Sequence, residues 1–262
     1  MRKILIKVLD IYNFIDKIAP FESQMDFDNS GLLIGNFNQK INKILLCLDI
    51  TREVIDEAIK LNINLIISHH PVIFKPIRKI SFDSVYYLLA KYNICAICAH
   101  TSLDLSEIGT NFCLFEKLSL KNKEPLSIYK KNNKNYILGY TGELESEINS
   151  RDFAILVKKK LDCLGVRFTN ISRKIKKVAV SSGAGGNLIS EAFNKKCDAF
   201  LTGEIKHSDI LFANEHKISI FDVGHFKSEN LVISHLKNIL QKEFSMLEFV
   251  ESKFFSDKIE FI

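Results

Sequence analysis

Ile66-Ile67-Ser68-His69-His70-Pro71 joins an aliphatic run to two adjacent histidines where a proline stops the strand. Leu65 to Ile67 read as a buried strand, and polar ligands directly after such a run mark a strand whose carboxyl end opens into a site. Successive side chains on an extended strand point to opposite faces, so neighbouring histidines share a site only if the strand ends there. Pro71 supports that end by fixing φ and removing a backbone donor. The competing reading is two surface histidines at a strand end. The other strands decide between the two.

Working outward, the segments alternate. A first helix is expected from the spacing of Leu5, Val8, Leu9, Tyr12, Ile15 and Ile18. Asp28-Asn29-Ser30-Gly31 is a turn-rich loop before the apolar piece Leu32-Leu33-Ile34. Ile44–Leu48 reads as a strand, and Thr51 as the N-cap of a helix over Arg52–Leu61. After the His-His strand come a helix around Ser84–Tyr92 and a strand over Ile94–Ala99 that ends in His100-Thr101-Ser102-Leu103-Asp104.

The second half repeats this order. Lys177 to Ser181 is a strand, and Ser182-Gly183-Ala184-Gly185-Gly186 a glycine turn. A helix over Asn187–Phe193 and a strand Ala199–Leu201 follow, the latter ending in Thr202-Gly203-Glu204. A helix His207–Glu215 and a strand Ile218–Phe221 lead to Asp222-Val223-Gly224-His225-Phe226-Lys227-Ser228-Glu229. Lys43 to Asn64 and Lys177 to Asp198 both span 21 residues, which lays Asn64–His70 over Asp198–Glu204 and Glu204 over His70. In both halves the next strand leads to a histidine with a carboxylate four residues on: His100/Asp104 and His225/Glu229. This reads as an internal duplication of a β-α-β-α-β unit. The chain is therefore expected to form two similar α/β domains with mainly parallel sheets, one over 1–125 and one over 126–262, with the C-terminal end free to return to the first.

The 262 residues suffice for one large or two modest domains, at roughly 100–200 residues each. A hydrophobic content of 47% and a charged content of 26% are those of an ordinary globular chain. No window reaches the ~18 apolar residues of a membrane span. The segment Met1–Asp10 imitates a signal peptide, but Lys7 and Asp10 interrupt its core and no small-residue cleavage site follows. The expectation is a cytoplasmic protein without a membrane partner. Part of the net charge of +5 sits in Lys121, Lys123, Lys130, Lys131 and Lys134, read here as a solvated connector. A nucleic-acid groove would interleave such lysines with stacking aromatics, and these do not. Cys95-Ala-Ile-Cys98 has ligand spacing but lies inside an apolar run without a second pair, so the cysteines read as small buried hydrophobes.

Ligands of parallel sheets bind beyond the carboxyl ends of the strands, and there the chain places His69, His70, His100, Asp104, Glu204, His225 and Glu229. Imidazoles and carboxylates without thiolate suit zinc, iron, manganese, cobalt or nickel. The set exceeds the roughly three protein ligands of one catalytic metal and suits a carboxylate-bridged pair of divalent ions, which would acidify a bound water towards a pKa of roughly 7. Neither a G-x-S-x-G elbow nor a P-loop competes. The turn Ser182–Gly186 is either a plain tight turn or a set of N–H groups for a phosphate, which keeps a phosphorylated small molecule among the candidate ligands.

Asp28-Asn29-Ser30-Gly31-Leu32, Ser68-His69-His70-Pro71, His100-Thr101-Ser102-Leu103-Asp104, Thr202-Gly203-Glu204 and Gly224-His225-Phe226-Lys227-Ser228-Glu229 resemble, in order, the signatures of the NIF-three-like proteins, often named GTP cyclohydrolase 1 type 2 homologues. The resemblance runs to about Ser234. It implies two intertwined α/β domains with a dinuclear metal site between them, and a toroidal homohexamer. It implies that His70, Asp104 and Glu229 bind one metal and His69, His225 and Glu229 the other, with His100 beside the site as a proton donor or acceptor; in the reaction, Glu204 or His100 would move protons. The implied activity is a metal-dependent hydrolase that opens the imidazole ring of GTP and releases formate. Hydrolysis of another phosphorylated substrate, or metal-dependent regulation without turnover, are the alternatives. Phe27 stands where a tryptophan is common, Ser102 where asparagine is, and Ser208 where a second histidine follows His207. Some relatives carry an inserted domain that the short Lys121–Lys134 stretch leaves out.

Overall fold

The computed structural model describes residues 5–171, 174–254, 257 and 259. Residues 1–4, the start of the segment that imitates a signal peptide, lie outside these. In chain order the elements are α1 Val8–Ile18, β1 Gly31–Ile34, β2 Lys43–Cys47, α2 Arg52–Lys60, β3 Leu65–Ser68, α3 Val85–Lys91, β4 Cys95–Cys98 and α4 Thr101–Asp104. Then follow α5 Thr110–Leu118, β5 Lys121–Lys131, β6 Lys134–Ile148, α6 Ser150–Leu161, β7 Arg167–Phe168, β8 Ile175–Ser181, α7 Ile189–Asn194 and β9 Ala199–Thr202. The chain closes with α8 His207–Glu215, β10 Ser219–Asp222, α9 His225–Glu229, α10 Leu231–Glu243 and β11 Glu248–Glu251. No helix among the described residues is long and apolar enough to cross a membrane.

The chain divides into two units: Met1–Ser106 with Ile233–Ser256, and Glu107–Val232 with Asp257–Ile262. The first holds a sheet of order β1-β4-β3-β2-β11, in which β4, β3, β2 and β11 are parallel and β1 is antiparallel to β4. The second holds β5-β6-β8-β9-β10-β7, in which β8, β9 and β10 are parallel and the flanking strands antiparallel. Each sheet is thus built on three parallel strands joined by helices, the connection parallel pairing requires. A boundary after residue 125 would cut through β5 and part its first residues from their partners on β6. The hairpin with β6 and the packing of α5 put the segment from Glu107 onward in the second unit instead.

Local chemistry accounts for the helix starts. The Thr51 and Asn149 side chains accept from the backbone N–H of Val54 (3.4 Å) and Asp152 (2.9 Å), as N-caps do. In the second unit, alternation along the strands sends Val178, Val180 and Leu201 into a core with Phe153 and Val157 of α6. Ala179 and Phe200 enter one with Ile189 and Ala192 of α7. Both faces of this sheet are therefore covered, and burying a phenylalanine such as Phe153 or Phe200 contributes roughly 1.5–3 kcal/mol. In the first unit, Leu45, Cys47, Ile66 and Ala96 pack with Val54, Ile55 and Ala58 of α2 and Leu88 and Leu89 of α3. The segment after β11 is held by the buried Glu57, whose carboxylate accepts from Ser252 Oγ (2.6 Å) and Lys253 N (3.2 Å). All six cysteines are free and buried. Burial raises the Cys95 and Cys98 thiols, in keeping with packing rather than ligation.

The lysine-rich stretch is not a connector. Lys121–Lys131 and Lys134–Ile148 form a hairpin with Lys131 opposite Lys134, so its loop is two residues long. Asn132 (φ 51°) and Asn133 (φ 59°) both sit at positive φ, the requirement of a type I′ turn whose twist matches the strands. Four of the five lysines lie on β5, the edge of the sheet, where charge discourages pairing with other chains, and Lys134 opens β6. Asn133→Val should cost about 1–2 kcal/mol, because a β-branched residue is strained at that φ. A thermal melt should then shift down by about 2–8 °C.

Candidate metal centre

In the first unit the site grows from the ends of β3 and β4. The chain past Ser68 carries His69, buried to 1% exposure, and then His70. His69 Nδ1 lies 2.8 Å from the carbonyl oxygen of Ala99. A carbonyl only accepts, so Nδ1 carries the hydrogen and the neutral ring presents its Nε2 lone pair. His70 Nδ1 donates to Asp49 Oδ1 at 2.8 Å, and His100 Nδ1 to Asp28 Oδ1 at 2.7 Å. Each imidazole is therefore locked in one tautomer by a partner behind it, the arrangement that orients metal-binding histidines. One ring nitrogen of each of His69, His70 and His100 lies within 4.8 Å of the others, and Asp104 Oδ1 is 3.5 Å from His69 Nε2. His100 is the residue before α4 and Asp104 its last, which brings the carboxylate back over one turn.

Asp28 organises this half. Its Oδ1 accepts from Asn29 N (2.7 Å) and His100 Nδ1; its Oδ2 accepts from Ser30 Oγ (2.9 Å), Thr101 N (3.0 Å) and Thr101 Oγ1 (2.5 Å). Burial alone would raise its carboxyl, but the hydrogen bonds and charge of His100, with Thr101 and Asn29, outweigh that and hold it well below the ordinary carboxylate range.

In the second unit His225 opens α9 and Glu229 closes it one turn on, buried to 4% exposure. His225 Nδ1 is 2.8 Å from Glu204 Oε1, and its Nε2 is 2.9 Å from Glu229 Oε2. With the Nδ1 hydrogen pointed at Glu204, a neutral ring would set a lone pair against the Glu229 oxygen. That contact calls for a second proton or a shared cation. Space for the Glu229 carboxylate comes from Gly183, at φ +57°, where a Cβ would lie 2.1 Å from Glu229 Oε1. Gly203 is needed in the same way, since its Cβ would meet Ser228 Oγ at 2.5 Å and the Gly183 carbonyl at 2.7 Å. Ser228 Oγ accepts from Gly183 N (2.9 Å) and donates to the His225 carbonyl (2.7 Å), tying the glycine turn to α9. Two N–H groups of that turn are thereby spent internally: Gly183 on Ser228, and Ser182 on Asn111 Oδ1 at 2.9 Å. What the turn supplies is room for Glu229.

The donor types fit a divalent metal: pre-oriented imidazole nitrogens, carboxylate oxygens and no thiolate. Strand registers also refine the internal repeat. Cys47 pairs with Ser68 and Ser181 with Thr202, so Glu204 does fall on the position of His70. Ser68 pairs with Cys98, however, and Thr202 with Asp222, which aligns His100 with Gly224 and Thr101 with His225. The two histidines are offset by one residue. Accordingly His100 precedes its helix while His225 begins one.

Of the groups behind the imidazoles, sequence reading singled out Glu204 alone as a site residue. Asp28 read as part of a turn-rich loop and of a family signature, and Asp49 was not singled out. Gly183 read as part of a turn, although a glycine on a strand end opposite a Gly-His-x-x-Ser-Glu motif signals a close approach.

The chain matches the Duf34/NIF3 (NGG1p interacting factor 3) family over residues 6–258. It is 36% identical over 233 residues to a Campylobacter jejuni protein named GTP cyclohydrolase 1 type 2 homolog, covering 85% of this chain and 87% of the relative. A Clostridium perfringens protein of the same name is 32% identical over 262 residues, covering 98% of this chain and 100% of the relative. Among solved structures, a Bacillus cereus protein related to NIF3 superposes with a TM-score of 0.91 at 23% identity, over 98% of this chain and 99% of that one. With nearly its whole length matched, this chain belongs to the Duf34/NIF3 family.

Proposed function

We propose that the chain is a hydrolase dependent on a pair of divalent metal ions held by His69, His70, Asp104, His225 and Glu229. One observation carries the reading: every one of the four imidazoles has its Nδ1 bound from behind, by Ala99, Asp49, Asp28 or Glu204, and His69 and His225 turn Nε2 to the carboxylates of Asp104 and Glu229. Two such ions would supply Lewis acidity and a water acidified from about 15.7 to roughly 7. The chain supplies the rest. Glu204 orients His225 from behind, and Glu229 offers the carboxylate suited to bridging. His100, fixed by Asp28, holds or moves a proton at Nε2. The name of the curated relatives suggests GTP as substrate, with hydrolytic opening of its imidazole ring and release of formate. A homo-oligomer working without a membrane or nucleic-acid partner is the assembly we attach to this reading.

Two measurements test it. Protein restored with metal should release formate and a ring-opened product from GTP. Phosphate release from other nucleotides would instead point to a different phosphorylated substrate, and binding without product to a regulatory protein. Elemental analysis of His69→Ala and of Glu229→Ala should show less metal than the wild type in each. Two ions per chain retained in either variant would sink the shared centre.

A further inference from the structure

Phe27 and Phe74 are large rings left 61% and 46% exposed, and they lie beside the imidazole cluster. Their centroids are 6.3 Å apart with planes at 59°, and Phe74 stands edge-on to His100 at 6.3 Å and 78°. They are held there. Asn29 Nδ2 donates to the Ile73 carbonyl at 2.6 Å, which fixes the backbone beside Phe74. Asp28, next to Phe27, is bound to His100 and Thr101. The residues 27–29 thus hold one ring, orient one imidazole and pin the loop that carries the other ring. Exposing two phenylalanines to water brings the free protein nothing, and neither ring is needed to order the loop that Asn29 already ties down.

From this juxtaposition we infer that Phe27 and Phe74 form a corner that binds the planar heteroaromatic ring of the substrate next to His100. The inference rests on the reading of the imidazole cluster as a metal-holding centre. At 59° the two rings do not form a sandwich. A flat ring stacked on one meets the other obliquely, and both geometries are favourable for π systems. Stacking of this kind selects for a π face, not for one pattern of hydrogen bonds. The corner would therefore set the substrate class, planar and heteroaromatic, while the polar groups at the cluster act on whichever edge of the ring is turned to them.

The probes are guanosine, GTP and inorganic tripolyphosphate, titrated calorimetrically into protein with and without added zinc, with metal content measured separately. Phe27→Ala and Phe74→Ala should each weaken guanosine and GTP by about five- to tenfold and leave tripolyphosphate unchanged. Both variants should keep the wild-type metal content and melting temperature. Phe27→Trp, which enlarges the π face, should bind guanosine at least as tightly as wild type. Guanosine affinity unchanged in both alanine variants would overturn the inference, as would an equal loss for tripolyphosphate or no guanosine binding by the wild type. Absence of metal from the wild type would refute the metal centre, while guanosine binding to the metal-free protein would still decide the role of the corner.

Discussion

Gly183→Ala is expected to lower stability by about 2–4 kcal/mol and to displace the carboxylate of Glu229, the metal ligand proposed above. Two costs add. An alanine at φ +57° occupies the left-handed region, worth about 1–2 kcal/mol. Its Cβ would also lie 2.1 Å from Glu229 Oε1 and 3.1 Å from Glu229 Cδ, so the carboxylate must swing away. Glu229 is buried and bound to His225, and displacing it breaks that contact. Turning the backbone instead would disturb the Gly183 carbonyl, which accepts from the N–H groups of Gly203 (3.0 Å) and Glu204 (2.9 Å). The melting temperature should fall by about 4–15 °C. A double-mutant cycle separates the two costs. On a Glu229→Ala background the same glycine change should cost only the backbone part, about 1–2 kcal/mol. If it costs as much there as in the wild type, the clash with Glu229 is not the cause.

The parts of the fold that read correctly from sequence share one property: their signal is local. The aliphatic runs at β2, β3, β4, β9 and β10 are short, buried and followed at once by polar residues, so strand and strand end coincide in the sequence. The hairpin of β5 and β6 was misread because charge was weighed above turn chemistry. Asn132-Asn133 between two runs that alternate is a type I′ signal, and a solvated edge strand is free to carry lysines on most of its positions. The return of β11 beside β2 has no local signal at all. Ser252, just after β11, donates to the buried carboxylate of Glu57, 195 residues away, and only the folded chain brings the two together.

The site divides along the same line. His69, His70, His100 and His225 are visible because adjacency and spacing at strand ends are sequence properties. The groups that decide what those rings present are distant in sequence. Asp28 lies 72 residues from His100, and Glu204 21 residues from His225. The repeat shows how such partners diverge. By strand register Asp49 and Gly183 are equivalent, as are His70 and Glu204. One copy places a histidine with a carboxylate behind it. The other gives up the side chain at that position, makes space for Glu229 and uses the equivalent of His70 to orient His225. A duplicated scaffold can thus offer two unlike sets of ligands without changing its strands.

Asp28→Asn should leave the side chain the same size and still disable His100. The carboxylate accepts five hydrogen bonds, two on Oδ1 and three on Oδ2. An asparagine must turn its NH2 towards one of these groups of donors. Oδ1 faces fewer, so the amide is expected there, pointing N–H at His100 Nδ1. That nitrogen can then only accept, which moves the ring hydrogen to Nε2 and cancels the lone pair that faces the cluster. Nitrogen-15 shifts of the His100 ring should report the change from the Nδ1–H to the Nε2–H tautomer, a signature that mere loosening of the loop would not produce. Loss of charge-assisted bonds should also destabilise the variant by about 2–3 kcal/mol at neutral pH. The pH dependence has a fixed sign. Because the folded protein holds the Asp28 carboxyl below its ordinary value of 3.8, its contribution is full above that value and is lost as the pH falls through the lowered one. The stability gap between wild type and Asp28→Asn should therefore stay constant from pH 8 to pH 5 and narrow only in stronger acid. A gap that closed between pH 7 and pH 5 would place the effect on a histidine proton, and an unchanged His100 tautomer would show that Asp28 shapes the loop without governing the ring.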